Sequence, residues 1–373
     1  MDPPAAPGAF APVLSEGPLL SWLEPIEGGH RLVFSRFEGE KWQEVQEVAA
    51  GSSMFANWAD VPAVVGSAGG RLWSHWLEKL GEGTYAYGVR FKEATRGGSG
   101  WTDQGWLHAD DLGEAEHGFV SWVTTAAEPW VFWLDGRQVA AAGAMTLRGG
   151  RVEGGRVDSR LLDERVCDCC PTDAAMTESG PLVVYRDRSE DEIRDIAIVR
   201  WTGTSWSPPA RIFDDGWRIA GCPVNGPAVA AAGKRVVVAW FTAPEGRAMV
   251  RVAFSDDGGE SFTTPFLVDG DDPLGRVDVT LLKNGDAVVA WLARDLEATA
   301  PGGSGAALSV RRVSPVGRTG APRVVARTSP ARASGVPRIL AAGDDLLLSW
   351  VDVGESRLRV SRLPLSRLPR TPR

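Results

Sequence analysis

The sequence predicts an all-β fold, a single β-propeller of four-stranded blades. Three observations lead to this fold class. A pair of apolar strands recurs seven times along the chain. The copies follow one another at intervals of about 50 residues, the range in which propeller blades repeat. No segment shows the periodicity of an amphipathic helix.

Each copy consists of an apolar strand, a turn that usually contains glycine, and a second apolar strand near an aromatic and an acidic residue. The seven copies cover residues 11–14 with 19–24, 61–65 with 71–78, 118–122 with 130–135, 172–176 with 182–187, 226–229 with 236–241, 277–281 with 287–292, and 336–340 with 346–352. An alternating third strand follows, as at residues 31–36 and 247–254. A weaker fourth strand comes next, as at residues 44–48.

The second strand of each copy is apolar at nearly every position, which is typical of a strand that is buried on both faces. We therefore place this strand in the middle of a blade, where its aromatic residues fill the space between neighbouring blades. Trp240, Trp291 and Trp350 occupy equivalent positions in their copies, so we expect all three to be largely buried.

Seven copies predict seven blades, with six as the alternative if the first or last copy has a different role. The last copy has a third strand at residues 357–362 but no clear fourth strand. We expect the N-terminal segment to supply that strand. Pairing of the two chain ends would close the ring and remove exposed strand edges.

The predicted organisation is a linker over residues 1–10, the propeller over residues 11–365 and a basic tail over residues 366–373, which we expect to be frayed coil. The net charge of −8, without a basic cluster elsewhere, argues against nucleic-acid binding. No apolar run is long enough to predict a membrane span. Residues 1–7 resemble the linker that follows a removed export signal, which favours a periplasmic or secreted location.

All four cysteines lie in loops that lead into two consecutive copies. Cys167, Cys169 and Cys170 form the motif Cys-Asp-Cys-Cys-Pro-Thr-Asp, and Cys222 lies in Gly-Cys-Pro-Val-Asn-Gly-Pro. Such loops of adjacent blades lie side by side. We therefore expect Cys222 to lie near at least one of the other three cysteines.

Three kinds of chemistry fit the four thiols. Thiolates bind soft metal ions, here copper or zinc, although the spacing is not that of a zinc ribbon. Disulfides are the second interpretation, and the sequence does not choose among the pairings. A reactive thiolate is the weakest, because it needs a nearby base. The histidines all lie in the first three copies, at His30, His75, His108 and His117. We expect His75, within a strand, to be packed.

One loop carries a more specific motif. Residues 255–262 read Ser-Asp-Asp-Gly-Gly-Glu-Ser-Phe and resemble the Asp-box (BNR repeat) of sialidase-like propellers, S-x-D-x-G-x-[TS]-[WF]. The Asp side chain bonds amides of its own loop, and Gly permits positive φ. The resemblance implies that this loop is structural and lies on the face away from the ligand site. The Cys-Asp-Cys-Cys segment also resembles a bacterial subgroup of such propellers.

The resemblance implies a fold more than an activity. Sialidases use an arginine triad, with one Arg in an early Phe-Arg-Ile-Pro-like strand, and a Tyr/Glu pair with an Asp acid. The early strands have no such segment, and Val-Pro-Arg-Ile at residues 336–339 stands at the other end of the chain. The only tyrosines are Tyr85, Tyr87 and Tyr185. The catalytic pattern of a sialidase is therefore not found, and catalytic residues stay unassigned.

Propeller topology places the loops that lead into innermost strands, and the loops between second and third strands, on one face. Polar residues of the fourth and fifth copies converge there. The candidate ligand-binding residues are Asp173, Arg186, Asp187, Arg188, Asp191, Arg218 and Asn225, and the candidate metal ligands are Cys167, Cys169, Cys170 and Cys222. The alternative for the charged run at residues 186–195 is a solvated loop.

These residues favour a propeller that binds a metal ion or a small polar ligand at a Cys/Arg/Asp-lined funnel. The first alternative is a glycoside hydrolase or lyase for anionic, sialic- or uronic-acid-like sugars. Arginines would then bind the sugar carboxylate. Two of four carboxyl groups would act as acid and base or nucleophile, chosen from Asp173, Asp187, Glu190 and Asp191. The second alternative is a scaffold whose acidic rim binds a protein partner.

Overall fold

The computed structural model describes residues 1–67, 69–95, 100–295 and 305–369. The chain forms seven antiparallel sheets arranged as the blades of a propeller, which confirms the predicted fold class and blade number. The only helices in these ranges are 3₁₀ turns at Val139–Ala141, Pro244–Gly246, Arg332–Ser334 and Leu365–Arg367. Within the same ranges, no helix has the length and apolarity to cross a membrane.

The first three blades correspond to the first three copies in the sequence. Blade 1 contains β1 (Phe10–Ser15), β2 (Leu19–Ile26), β3 (Gly29–Glu38), β4 (Lys41–Trp42) and β5 (Gln46–Gly51). Blade 2 contains β6 (Met54–Phe55), β7 (Ala63–Gly66), β8 (Leu72–Lys79), β9 (Tyr87–Ala94) and β10 (Trp101–Trp106). Blade 3 contains β11 (His117–Val123), β12 (Trp130–Asp135), β13 (Thr146–Glu153) and β14 (Arg156–Asp163).

Blades 4 to 6 have four strands each. Blade 4 contains β15 (Asp173–Thr177), β16 (Gly180–Arg186), β17 (Ile196–Arg200) and β18 (Ala210–Arg211). Blade 5 contains β19 (Ala228–Ala232), β20 (Arg235–Thr242), β21 (Met249–Ser255) and β22 (Phe266–Asp269). Blade 6 contains β23 (Gly275–Leu281), β24 (Ala287–Arg294), β25 (Ala306–Val313) and β26 (Arg323–Thr328). Blade 7 contains β27 (Arg338–Ala342), β28 (Asp345–Asp352) and β29 (Arg357–Pro364).

The ring closes differently from the prediction. Among the described residues the sheet of blade 7 has three strands, and the N-terminal segment does not pair with it as a fourth. The segment instead makes separate contacts: the Gly8 amide donates to the Ser356 carbonyl at 2.9 Å, and Asp2 pairs with Arg359. The prolines of this segment have no amide hydrogen to donate, which prevents a regular ladder.

The tail prediction is partly wrong. Leu368 lies within the predicted frayed tail, yet it is only 3% exposed and packs in the core of blade 6 with Leu308. The Arg367 carbonyl also accepts a hydrogen bond from Arg323. The remaining tail arginines, Arg370 and Arg373, lie outside the described residues.

The tryptophans of the second strands pack between blades, as predicted. Trp240 and Trp291 are 1% and 2% exposed. Each indole donates to a carboxylate of the preceding blade, Trp240 to Asp215 at 2.7 Å and Trp291 to Asp269 at 2.6 Å. Trp350 is less completely buried than these two and packs against the core that blades 6 and 7 share. Among the described residues, no carboxylate stands beside the Trp350 indole as Asp215 and Asp269 stand beside the other two.

The innermost strands all run in the same direction through the ring. The loops that lead into them therefore share one face, here called the upper face, and their hairpin turns share the lower face. The loop at residues 255–262 lies on the lower face, because the Gly258 amide donates to Lys234 in a hairpin turn at 2.8 Å. Within this loop Asp257 accepts two backbone amides at 2.9 Å, as the motif predicts.

A recurring contact on the upper face joins neighbouring blades. Asp60, just before the innermost strand of blade 2, accepts the amide of Phe119 in blade 3 at 2.7 Å. Asn225, before blade 5, accepts the amide of Arg276 in blade 6 at 2.6 Å. Phe119 and Arg276 both have a φ of 54°. We call this contact the latch. It holds the irregular start of an innermost strand against the preceding blade.

Candidate functional site

The four cysteines meet on the upper face and form what we call the thiol cluster. The Sγ atom of Cys167 lies 3.3 Å from that of Cys170 and 3.9 Å from that of Cys169. The Sγ atom of Cys222 lies within 4.8 Å of that of Cys169 and of an Asp168 carboxylate oxygen. Cys222 is therefore near the other cysteines, as predicted. All four are unbridged.

The local fold gives the thiol cluster a buried end and an exposed end. The Cys167 amide donates to the Arg186 carbonyl at 2.9 Å, which holds the motif against the end of β16. Cys167 and Cys170 are each 1% exposed, Cys169 is half-buried and Cys222 is exposed. A ligand could therefore reach the inner sulfur atoms from the side of Cys222.

Positive charge lies beside the buried sulfur atoms. Arg194 is 3% exposed, and its Nη1 atom is 3.2 Å from both Cys167 Sγ and an Asp168 oxygen. Glu192 accepts from Arg194 at 2.8 Å and from Arg188 at 2.7 Å, so one carboxylate aligns both guanidinium groups. Two of these residues, Glu192 and Arg194, were not assigned to the site from the sequence, although the charged run contains them.

The thiols differ in acidity. Hydrogen bonds from Cys169 and Cys170, aided by the charge of Arg186, hold the pKa of Cys167 well below its ordinary value. The same hydrogen bonds raise the pKa of Cys169, and burial raises that of Cys170. Of these three thiols, Cys167 is therefore the one that loses its proton most readily. A metal ion would have to displace their protons.

The Arg186 guanidinium is fully engaged by the protein. This residue is 1% exposed and donates to carbonyl oxygens of Asn225 at 2.9 and 2.7 Å, Phe241 at 2.7 Å and Arg194 at 2.6 Å. It also stacks on Trp217 at 4.8 Å. Arg186 thus joins blades 4 and 5 beneath the thiol cluster, and its donors face protein carbonyls.

Four of the remaining candidate residues form three groups. Arg188 lies beside the thiol cluster, 3.8 Å from Asp168. Asp191 and Arg218 form an exposed pair at 3.6 Å. Asp187 is half-buried, which raises the pKa of its carboxyl, and it accepts the Arg188 amide at 2.7 Å.

Asn225 and Asp173 lie elsewhere. Asn225 forms the latch to blade 6. Asp173 accepts the Val229 amide at 2.7 Å and lines the central channel. The structure therefore separates Asp173 from the cysteines only three residues before it.

A second polar group lies beside the thiol cluster, and the sequence did not indicate it. Its members Asp60, Tyr87, Glu116, His117 and Asp135 form what we call the carboxylate quadrant. The Tyr87 hydroxyl lies 2.6 Å from Glu116 and 3.2 Å from Asp60. One phenol proton cannot serve two carboxylates. Burial raises the pKa of Asp60 to about 8 and that of Glu116 to about 7, which supplies the second proton.

His117 is fully buried between Asp135 of this group and the neighbouring Asp111. Its Nε2 atom is 3.3 Å from Asp111 and its Nδ1 atom is 3.3 Å from Asp135. The ring stacks on His108 at 3.8 Å. Asp111, His117 and Asp135 could together bind a metal ion. However, Asp135 is also bound by Arg137 at 2.7 Å, so ion pairing accounts for the arrangement.

One signal in the sequence could have found the carboxylate quadrant. Glu116 and His117 stand where the chain enters the innermost strand of blade 3, and the cysteines stand near the corresponding point of blade 4. The prediction for His75 is confirmed. It is fully buried, accepts the Trp122 indole at 3.0 Å, and burial lowers its pKa to about 3.

Comparison with known proteins supports the fold. No protein-family model matches the sequence, and no curated protein matches it significantly. The chain is similar to the structure of polysaccharide lyase Uly1, with a TM-score of 0.55, 10% identity, and 96% of this chain and 90% of that chain covered. It is also similar to the α-L-arabinanase of Penicillium chrysogenum in complex with arabinobiose. There the TM-score is 0.50 with 10% identity, and coverage is 98% and 97%.

A third similar structure is a protein of unknown function from Dyadobacter fermentans. Its TM-score is 0.50 with 13% identity, over 84% of this chain and 96% of that one. Identities this low establish a shared fold and carry no residue roles to this chain.

Proposed function

We propose that the protein binds a thiophilic metal ion, Cu(I) or Zn(II), at the thiol cluster. The observation that carries this proposal is the spacing of the sulfur atoms, with Cys167 Sγ at 3.3 and 3.9 Å from its neighbours. Two sulfur ligands at about 2.3 Å from a tetrahedral zinc ion are about 3.8 Å apart. The sulfur atoms thus already stand near the separation that a shared ion imposes.

The charges around the cluster support the same proposal. Three thiolates around a divalent ion leave a negative charge, which Arg194 and Arg188 would offset. The lowered pKa of Cys167 provides the first thiolate ligand. Cys222 and Asp168 lie at the exposed end and offer a further ligand from a neighbouring loop.

Metal titration of the reduced protein tests this proposal. Zn(II), and Cu(I) held by a competing chelator, should bind one ion per chain, and Co(II) should show the sulfur charge-transfer absorption of a thiolate site. Cys169→Ser should weaken binding at least about 100-fold, because Cys169 belongs to both donor groups that contain sulfur.

Asp111→Asn is the matched control for the carboxylate quadrant. Asp111 belongs to the other potential donor group, which contains no cysteine, so this variant should bind as the parent does. A reduced, folded protein that binds neither ion would refute the proposal. So would Cys169→Ser that binds as tightly as the parent.

A second candidate is a carbohydrate-active enzyme. It is motivated by the lyase and arabinanase among the similar structures, and by Glu116, whose pKa is raised to about 7 beside Tyr87. Such a carboxyl could act as an acid near neutral pH. A screen with fluorogenic sialosides and uronides tests this candidate. Turnover that Glu116→Gln abolishes would support it, and no turnover with any substrate would count against it.

A further inference from the structure

The central channel is a second cavity, separate from the thiol cluster. It has a volume of about 690 Å³ and is lined by residues of all seven innermost strands. Pockets of this size hold small molecules. The mouth on the lower face is formed by exposed residues such as Glu16, Gly17 and Ala232. The channel is therefore accessible from the face opposite to the cysteines.

The upper end of the channel is covered by the segment that leads into blade 2. Trp58 extends across the ring, where its indole lies 5.0 Å from the Arg276 guanidinium of blade 6 and 6.0 Å from that of Arg332. The next residues, Ala59 and Asp60, are buried, and Asp60 is held by its latch to blade 3. This segment therefore crosses the upper end of the channel, which is here called the closed end.

Three charged residues stand at the closed end. Asp173, Asp278 and Arg338 are at or near the start of β15, β23 and β27, and all line the channel. Each carboxylate accepts two backbone amides: Asp173 at 2.9 and 2.7 Å, and Asp278 at 2.9 and 2.8 Å. These contacts fix both carboxylates while leaving further acceptor capacity on their oxygens.

Arg338 is held differently. Its Nε atom is buried and has no hydrogen-bond partner. Among the described residues, no carboxylate oxygen lies within 4.0 Å of a guanidinium nitrogen of Arg338, so it forms no ion pair there. Burial raises the pKa of both Asp173 and Asp278, and the charge of Arg338 partly opposes this rise. All three groups line the channel, and the buried Arg338 Nε–H lacks an acceptor, which is costly.

We propose that this closed end binds a small zwitterion of the α-amino acid class. The ligand's carboxylate lies on the Arg338 guanidinium, and its ammonium group lies between Asp173 and Asp278. A simple cation would face Arg338, and a simple anion would face two carboxylates. A zwitterion places its negative group on the arginine and its positive group beside the two carboxylates. This site is independent of the metal proposed on the upper face.

Ligand-observed NMR and calorimetry on the whole protein test this inference, with L-alanine and L-leucine as probes. Ethylamine, propionate and a neutral sugar serve as the single-charge and uncharged comparisons. The amino acids should bind at least tenfold more tightly than any of these three. Arg338→Gln should weaken amino-acid binding at least tenfold, whereas Arg247→Gln, in an exposed ion pair outside the channel, should leave it unchanged.

A measurement on the unmodified protein covers the case in which Arg338→Gln does not fold. The Arg338 Nε–H resonance should move when L-alanine is added, because this proton gains an acceptor. The inference fails if this resonance is unchanged at millimolar amino acid. Binding of the neutral sugar or of ethylamine as tight as that of the amino acids would also overturn it. Loss of metal binding leaves this result unaffected, so the two proposals fail separately.

Discussion

Two neighbouring parts of the upper face, the carboxylate quadrant and the thiol cluster, are built on the same latch but differ in their closure. In the first, Asp60, Tyr87 and His117 are all buried, and the Tyr87 hydroxyl donates to Asp60. In the second, Cys222 remains exposed, and Asn225 rather than a carboxyl makes the latch. In the carboxylate quadrant the polar side chains bind one another, whereas in the thiol cluster sulfur atoms remain available to a ligand.

The residue before the left-handed Phe119 must be a glycine for the latch to form. Replacing this glycine should have the largest effect on stability. An alanine Cβ at Gly118 would lie 1.9 Å from the Asp60 carboxylate. We expect Gly118→Ala to lower the free energy of unfolding by about 4 kcal/mol, because the latch must break or the strand must move. Urea unfolding followed by tryptophan fluorescence measures this loss.

Gly51→Ala is the matched control. Gly51 also lies in a strand, but its added Cβ would meet nothing closer than 3.9 Å. It should change the free energy of unfolding by less than about 0.5 kcal/mol. Equal losses in the two variants would show that the latch does not hold blades 2 and 3 together.

The second prediction concerns variants in which each latch residue, Asp60 or Asn225, is replaced by the residue type of the other. The pKa of Asp60 is raised by burial from 3.8 to about 8. The folded state therefore holds a proton that the unfolded chain releases above pH 4, and stability from this group falls as pH rises toward 8. One pKa unit corresponds to about 1.4 kcal/mol, so the loss between pH 5 and pH 8 should be roughly 3 kcal/mol.

Asp60→Asn should remove that part of the pH dependence, because the amide oxygen can still accept the Phe119 amide. Asn225→Asp should introduce a smaller dependence of the same sign. Its side chain is half-buried, and a carboxylate there would face the carbonyls of Pro223 and Leu274 that now accept the amide at 3.3 and 3.4 Å. Parallel stability curves for Asp60→Asn and the parent from pH 5 to pH 8 would contradict this account.

The sequence predicted the blades well because the information is local. All seven pairs of apolar strands are hairpins in the structure, since alternation and turn residues act over a few positions. The approach of Cys222 to Cys169 also followed from topology, because consecutive blades place equivalent loops side by side.

The roles of single polar residues did not follow from the pattern. Arg186 was expected to face a ligand, but the structure directs it to three carbonyl oxygens that come from distant segments. Asp173 was grouped with the cysteines, but strand alternation turns its side chain into the channel. Such assignments depend on side-chain direction and on which backbone groups of the next blade lack partners. Neither property is periodic in the sequence.

The smallest effect is expected at Cys222, and it separates a structural cysteine from a ligand. Cys222 is exposed and unbridged, so Cys222→Ser should change the free energy of unfolding of the metal-free protein by less than about 0.5 kcal/mol. The same variant should weaken zinc binding measurably, because it removes a sulfur atom within 4.8 Å of Cys169. Urea unfolding with a chelator, and then with zinc, measures both quantities on one sample. A clear loss of stability without metal would make Cys222 part of the packing, as the residues of the carboxylate quadrant are. A loss that depends on zinc would show that the exposed end of the thiol cluster takes part in binding.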